Sequence, residues 1–152
     1  MPDRVSGDVT RIRQVINNLV GNAVKFTDRG HVLIDISGAV GMPGKDGETT
    51  AALLVKVQDT GVGIAPYHLP RLTERFYRVD TGRSRAKGGT GLGLAIVKHV
   101  LLRHDAQLSI ESEPGKGSVF RCEFPEQRRV ACVNVPLAAA DPQSSPAATP
   151  AS

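Results

Sequence analysis

Tryptophan is absent from the 152 residues, and four Phe with two Tyr bring the aromatic share to only 4%, against 40% hydrophobic residues overall. A soluble core is possible, but it must be built mainly from aliphatic side chains. Cysteine is nearly absent. Cys122 and Cys132 are too few for a disulfide framework and fit a reducing compartment better. No apolar run reaches the roughly 18 residues of a membrane span, and the opening MPDRVSGD does not read as a signal peptide. Charge of one sign is scarce too: 19 Lys and Arg against 15 Asp and Glu leave a net charge of +4. That modest excess suits an anionic ligand or partner. A secreted disulfide scaffold and a membrane-spanning segment are both excluded, leaving a chain that reads as cytoplasmic and long enough for one domain.

What is present alternates between helical and extended signals. In Asp8–Thr27, DVTRIRQVINNLVGNAVKFT, the residues Val9, Ile12, Ile16, Leu19, Val20 and Ala23 recur at helical spacing. DRG marks a turn and HVLIDIS alternates as a strand. GAVGMPGKDGETT is expected to be a loop inside a hairpin, and AALLVKVQD a buried strand that TGVGIAP breaks. Residues Tyr67–Gly89 are charged and irregular, and Gly91–His104 reads as a second amphipathic helix. QLSIES and SVFRCEF, joined by EPGKG, predict a closing hairpin in which Cys122 alternates with Phe120 and Phe124 and so faces the core. From about Glu126 the composition turns to Ala, Pro and Ser without periodicity. Residues 1–125 are therefore expected to form the domain and 126–152 a disordered tail. Strands arriving as hairpins with helices between them predict an α+β two-layer sandwich, with the helices on one face of a mixed β-sheet.

Four stretches carry chemistry. In the first helix Asn18, Asn22 and Lys25 share one stripe, with Arg11 joining it, roughly opposite the apolar face. Such a stripe is either a solvated face or a place where amide oxygens meet a hard cation and a Lys meets phosphate; Mg²⁺ takes few protein ligands when phosphates and water supply the rest. DTGVGI, Asp59–Ile64, follows a buried strand. There Asp59 can accept a hydrogen bond from an exocyclic amine such as that of adenine, while Gly61 and Gly63 allow close approach. Taken alone it is an ordinary strand-ending turn. RLTERFYRVDTGRSRAKGGTG carries Arg71, Arg75, Arg78, Arg83, Arg85 and Lys87, a solvated charge run or a cationic lid that Phe76 and Tyr77 anchor. In GGTGLGLAIVK, Gly88–Lys98, four glycines fall within six residues ahead of a helix, where the backbone can approach an anion closely. It is not a P-loop, because the pattern GxxxxGK[ST] is missing.

Together and in this order, the four stretches resemble the catalytic ATP-binding domain of sensor histidine kinases, in the fold shared with Hsp90, type II topoisomerase and MutL ATPases. NLVGNAVKF looks like the N box, DTGVGI the G1 box, RLTERFYRVD the F box and GGTGLGLAIVK the G2 box, over about residues 5–125. The segment Leu69–Phe120 is most similar to the phosphate-regulon branch; there Thr73 stands where many of these kinases carry a first Phe, a Thr which that branch also uses. The front half looks more like hybrid sensor kinases. The resemblance implies ATP and Mg²⁺ as cofactors. Asn22 would ligate the metal with Asn18 nearby, and Lys25 would contact phosphate. Asp59 would read the adenine amine in a pocket shaped by Gly61 and Gly63. Arg78 would reach phosphate from the lid, Gly89, Gly91 and Gly93 would shape its hinge, and the Thr90 hydroxyl would bond a phosphate. ATP-hydrolysing relatives carry a Glu four residues before the metal-binding Asn; here that position is Asn18. An amide is no general base at neutral pH, which favours transfer to a docked side chain over hydrolysis.

The resemblance also implies a phosphoacceptor His followed by an acidic residue and a Pro on a dimerising helical hairpin, with a response regulator downstream. His31, His68, His99 and His104 do not fit that pattern. The acceptor is expected on a separate domain, and the domain is expected to be truncated at its N-terminus, lacking a strand and a helix. No nucleic acid or membrane contact is expected of this segment, which would be cytoplasmic even within a membrane-anchored sensor. Two other readings stay open: an interaction or inhibitory fragment that binds nucleotide poorly, and a serine kinase of the anti-sigma-factor type.

Overall fold

The computed structural model describes residues 8–43, 49–79 and 88–128. The expectations for Arg83, Arg85, Lys87, Cys132 and residues 129–152 lie outside these.

Helix α1 spans Val9–Phe26, with Asp8 as its N-cap; the Asp8 carboxylate accepts from the Arg11 backbone N–H at 3.1 Å, relieving one of the unpaired donors of the first turn. Val15, Leu19 and Ala23 are buried on its inner face, and Ile12, Ile16 and Val20 pack beside them. Val9 does not join them and is 62% exposed. Helical spacing gives a first-turn residue a direction but no neighbour to pack against.

Strands β1 (Val32–Pro43), β2 (Thr49–Asp59), β3 (Gln107–Glu113) and β4 (Gly117–Arg128) form one sheet in the order β1-β2-β4-β3. Every pairing is antiparallel, so the sheet is not mixed among the described residues. The two-layer α+β arrangement holds, with α1 and α2 (Gly93–Arg103) packed on each other and the sheet. The expected hairpin loop is shorter than its composition suggested. β1 continues through Gly38 to Pro43, with Gly38 opposite Leu53 and Ala39 opposite Ala52 and a register shift between Val40 and Pro43. Ladder hydrogen bonds use the backbone alone, so a partner strand overrides the weak strand preference of these residues. β4 likewise runs past residue 125 to Arg128.

Period-2 alternation places Val55 and Val57 of β2 and Phe120, Cys122 and Phe124 of β4 on the helix-facing side, all buried. Val97, Val100 and Leu101 of α2 close over them. The core is aliphatic apart from two Phe rings, as a chain so poor in aromatics requires. Ile34 and Ile36 stand opposite Val57 and Val55 but remain 45% and 41% exposed on the edge strand. Between β2 and α2 the chain forms a short 3-10 helix, Pro66–Arg71, started by Pro66 and carrying Pro70 within it. No described helix is long and apolar enough to cross a membrane.

Candidate functional site

The last turns of α1, the end of β2 and the start of α2 converge on a cleft of about 310 Å³. Asn22, Lys25 and Phe26 line it from α1; Asp59, Val62, Gly63 and Ile64 from the strand end and the turn after it; Ser118 and Phe120 from β4. The outer wall consists of Leu72, Tyr77, Arg78 and Val79, then Gly89, Thr90, Gly91, Gly93 and Leu94. Nine of the eleven residues expected at the site therefore line one cleft: Asn22, Lys25, Asp59, Gly63, Arg78, Gly89, Thr90, Gly91 and Gly93. Asn18 and Gly61 stand just behind it. The Gly61 N–H donates to the Asp59 carboxylate at 2.8 Å. Asn18 lies one turn before Asn22, half-buried, with its oxygen 3.5 Å from where a Cβ on Gly93 would be and its amide nitrogen buried without a hydrogen-bond partner among the described residues. Arg11 is not at the cleft; it is exposed and its guanidinium reaches Gln14 at 3.1 Å. None of His31, His68, His99 or His104 lines the cleft.

Asp59 is the buried charge of the site, 6% exposed. Desolvation raises its pKa above the ordinary 3.8, and the Gly61 and Ser118 backbone N–H groups oppose that rise only in part. The Thr27 hydroxyl, buried and short of a full hydrogen bond, acts in the same direction as those amides. The turn beyond Asp59 is held rigidly. Ile64 N–H donates to the Ser112 hydroxyl at 2.7 Å, and Gly115 N–H to the Val62 carbonyl at 2.8 Å. Gly63 has φ +69°, and a Cβ there would overlap the Glu113 carbonyl oxygen, so the close approach of turn to hairpin requires glycine.

The opposite wall is held by contacts of a different kind. Lys25 Nζ donates to the Gly88 carbonyl. Phe76 N–H donates to the Gly91 carbonyl at 3.0 Å. Gly91 has φ +73°, and an added Cβ would lie 2.8 Å from the Phe76 backbone. Phe76 itself takes φ 64° and leaves its ring 71% exposed, so it does not anchor the segment by burial. Tyr77 does turn inward, half-buried, with its hydroxyl 2.5 Å from His68 Nδ1.

The cleft thus offers a buried hydrogen-bond acceptor over an apolar floor, amide and ammonium groups beside it, and glycine backbone at a helix start. Among the described residues no group of three or more His, Cys, Asp and Glu could hold a metal. Ser118, Phe120 and Leu72 escaped the sequence reading. Ser118 reaches the site because β4 pairs it with Asp59, a long-range register that no local pattern reveals.

Residues 7–128 match the family described as histidine kinase-, DNA gyrase B-, and HSP90-like ATPase. The chain is 52% identical over 126 residues to the phosphate regulon sensor protein PhoR of Pseudomonas aeruginosa, an alignment covering 80% of this chain and 25% of that protein. It is 41% identical over 125 residues to the sensor histidine kinase RcsC of Escherichia coli, covering 82% of this chain and 12% of that one. Full-length ShkA, solved in complex with AMPPNP, superposes with a TM-score of 0.61 at 35% identity, over 80% of this chain and 22% of ShkA. The mycobacterial sensor histidine kinase MprB gives 0.59 at 26% identity, over 81% of this chain and 75% of that structure. The chain spans a quarter or less of PhoR, RcsC and full-length ShkA.

Proposed function

Since this chain belongs to the histidine kinase-, DNA gyrase B- and HSP90-like ATPase family, we propose that it is the ATP-binding catalytic module of a two-component sensor histidine kinase, working in the cytoplasm. It binds Mg²⁺-ATP and presents the γ-phosphate to a histidine on a separate dimerisation domain, from which a response regulator is phosphorylated in turn. The observation that carries this reading is the convergence of Asp59, Asn22, Lys25, Arg78 and the glycine loop on one cleft.

Asp59, held by the Gly61 N–H at 2.8 Å, accepts from the adenine amine, and Gly63 keeps the turn close to the base. Gly91 and Gly93 shape the start of α2. Lys25 and Arg78 supply positive charge, and the Gly89–Gly91 backbone with the Thr90 hydroxyl supplies donors to the phosphates. The neutral amide oxygen of Asn22 suits Mg²⁺ as one of few protein ligands, since no acidic cluster among the described residues competes for it. Bound there, Mg²⁺ would neutralise charge on the transferring phosphate. Asn18, beside Gly93 and without basic chemistry, abstracts no proton from water. Positioning and charge stabilisation remain as the module's contribution to transfer.

Calorimetric titration of the chain with ADP and Mg²⁺, beside an Asp59→Asn variant, tests this reading. Saturable binding by the wild type and its loss in a folded variant is the expected result. A folded wild-type chain that takes up no nucleotide sinks the proposal. The similarity to PhoR and RcsC favours a histidine over a serine as acceptor, and transfer of labelled phosphate to a protein serine would reverse that preference.

A further inference from the structure

The cleft wall formed by Tyr77, Arg78 and Val79 is tied from behind to an element that does not touch the cleft. His68 lies in the 3-10 helix Pro66–Arg71, half-buried, and its Nδ1 is 2.5 Å from the Tyr77 hydroxyl. Two prolines stiffen that helix. His68 N–H donates to the Ala65 carbonyl at 3.0 Å, and Leu72 after the helix is buried. The Tyr67 ring packs on the His68 ring at 4.1 Å, and the Arg71 guanidinium covers the Tyr77 ring at 4.4 Å. Thus the imidazole is fixed by its own element, and the phenol is oriented by it.

We infer that His68 is a positioning residue for nucleotide binding, acting through its hydrogen bond to Tyr77 to hold the 77–79 wall at the spacing that the ligand needs. This rests on the nucleotide reading above and adds a residue that neither touches the ligand nor lies in any of the glycine-bearing stretches. The backbone near Tyr77 is braced by Tyr77 N–H on the Glu74 carbonyl at 3.3 Å and Phe76 N–H on Gly91 at 3.0 Å. Both fix the main chain there, while the Tyr77 ring is directed by its hydroxyl contact to His68 and by the Arg71 guanidinium over its face. Losing one net hydrogen bond corresponds to roughly a two- to ten-fold change in affinity.

The test is a double-mutant cycle read by calorimetry with Mg²⁺-ADP, using Tyr77→Phe, which keeps the ring under Arg71, His68→Ala and the pair together, each checked for native circular dichroism. Each single change should weaken binding two- to ten-fold, and the double should lose no more than the larger single. His68→Asn, which keeps a polar atom near the Nδ1 position, should recover most of the affinity; a residue of purely structural importance would show no such recovery. Wild-type affinity in Tyr77→Phe overturns the positioning role and leaves the nucleotide reading standing. Losses that simply add in the double overturn it too. A wild-type chain that binds no nucleotide overturns both.

Discussion

Asp59 and Ser118 stand opposite each other where β2 pairs with β4, and both are almost fully buried at the mouth of the helix–sheet layer. The Ser118 backbone N–H and the Gly61 N–H favour the ionised carboxylate, but burial outweighs them. A carboxyl group thus sits where burial disfavours its ionised form.

That imbalance has a sign. The folded-state pKa of Asp59 is raised above 3.8, so its contribution favours folding below the unfolded value and is lost as pH rises through the folded one. Wherever the group is ionised, its burial works against stability. Asp59→Asn, which never ionises and keeps an acceptor for Gly61, should melt above the wild type at pH 7. The difference should shrink as the pH is lowered toward 3.8. Thermal melts across that range check it; a variant less stable than wild type at pH 7 would contradict the dominance of desolvation. A stabilised variant that has lost nucleotide would mark Asp59 as a residue kept for binding.

Two glycines should respond oppositely to alanine. Gly21 lies within α1 with nothing inside 4 Å of an added Cβ, so Gly21→Ala should stabilise by about 0.5–1 kcal/mol. Gly91 has φ +73° and an added Cβ would meet the Phe76 backbone at 2.8 Å. There alanine should destabilise by about 1–3 kcal/mol and weaken nucleotide binding as the wall shifts. Urea unfolding of both variants measures the two signs. A Gly91→Ala protein as stable as its parent would mean that the close approach of Gly91 to Phe76 is not required.

Cys122 is wholly buried beside Phe120 and Phe124, and burial pushes its thiol pKa up to about 12. In a Cys132→Ser background an aromatic disulfide reagent at pH 8 should label no thiol in the folded chain and one in urea. Rapid labelling of the folded chain would show that the sheet opens under native conditions.

Much of this was legible because it is local. The apolar stripe of α1, the glycines before α2 and the Phe120–Cys122–Phe124 alternation are each written within a few residues. Nine of the residues that line the cleft were legible instead through the resemblance of the four stretches to a known family, since spacing alone left the Asn18, Asn22 and Lys25 stripe and the Asp59 turn open to ordinary readings. What was not legible is decided by partners distant in sequence. Gly38–Pro43 is extended because β2 pairs with it. Ser118 reaches the cleft through the β2–β4 register. His68 and Tyr77, nine positions apart across an irregular segment, share no periodicity that would announce their contact. Val9 had the right spacing and is nonetheless 62% exposed.

The Ser112 hydroxyl sits among three partners: Ile64 N–H at 2.7 Å, the Gly117 carbonyl at 3.0 Å and the Ser118 hydroxyl at 2.9 Å. A hydroxyl has one proton to give and two lone pairs to receive, so its bonding capacity is saturated. One side of the cleft, at Ile64 and Ser118, is therefore templated before any ligand arrives. A molecule meeting the templated side imposes no further ordering there, and discrimination at that side is a matter of fit alone. The entropic cost of ordering on binding is correspondingly low at that side.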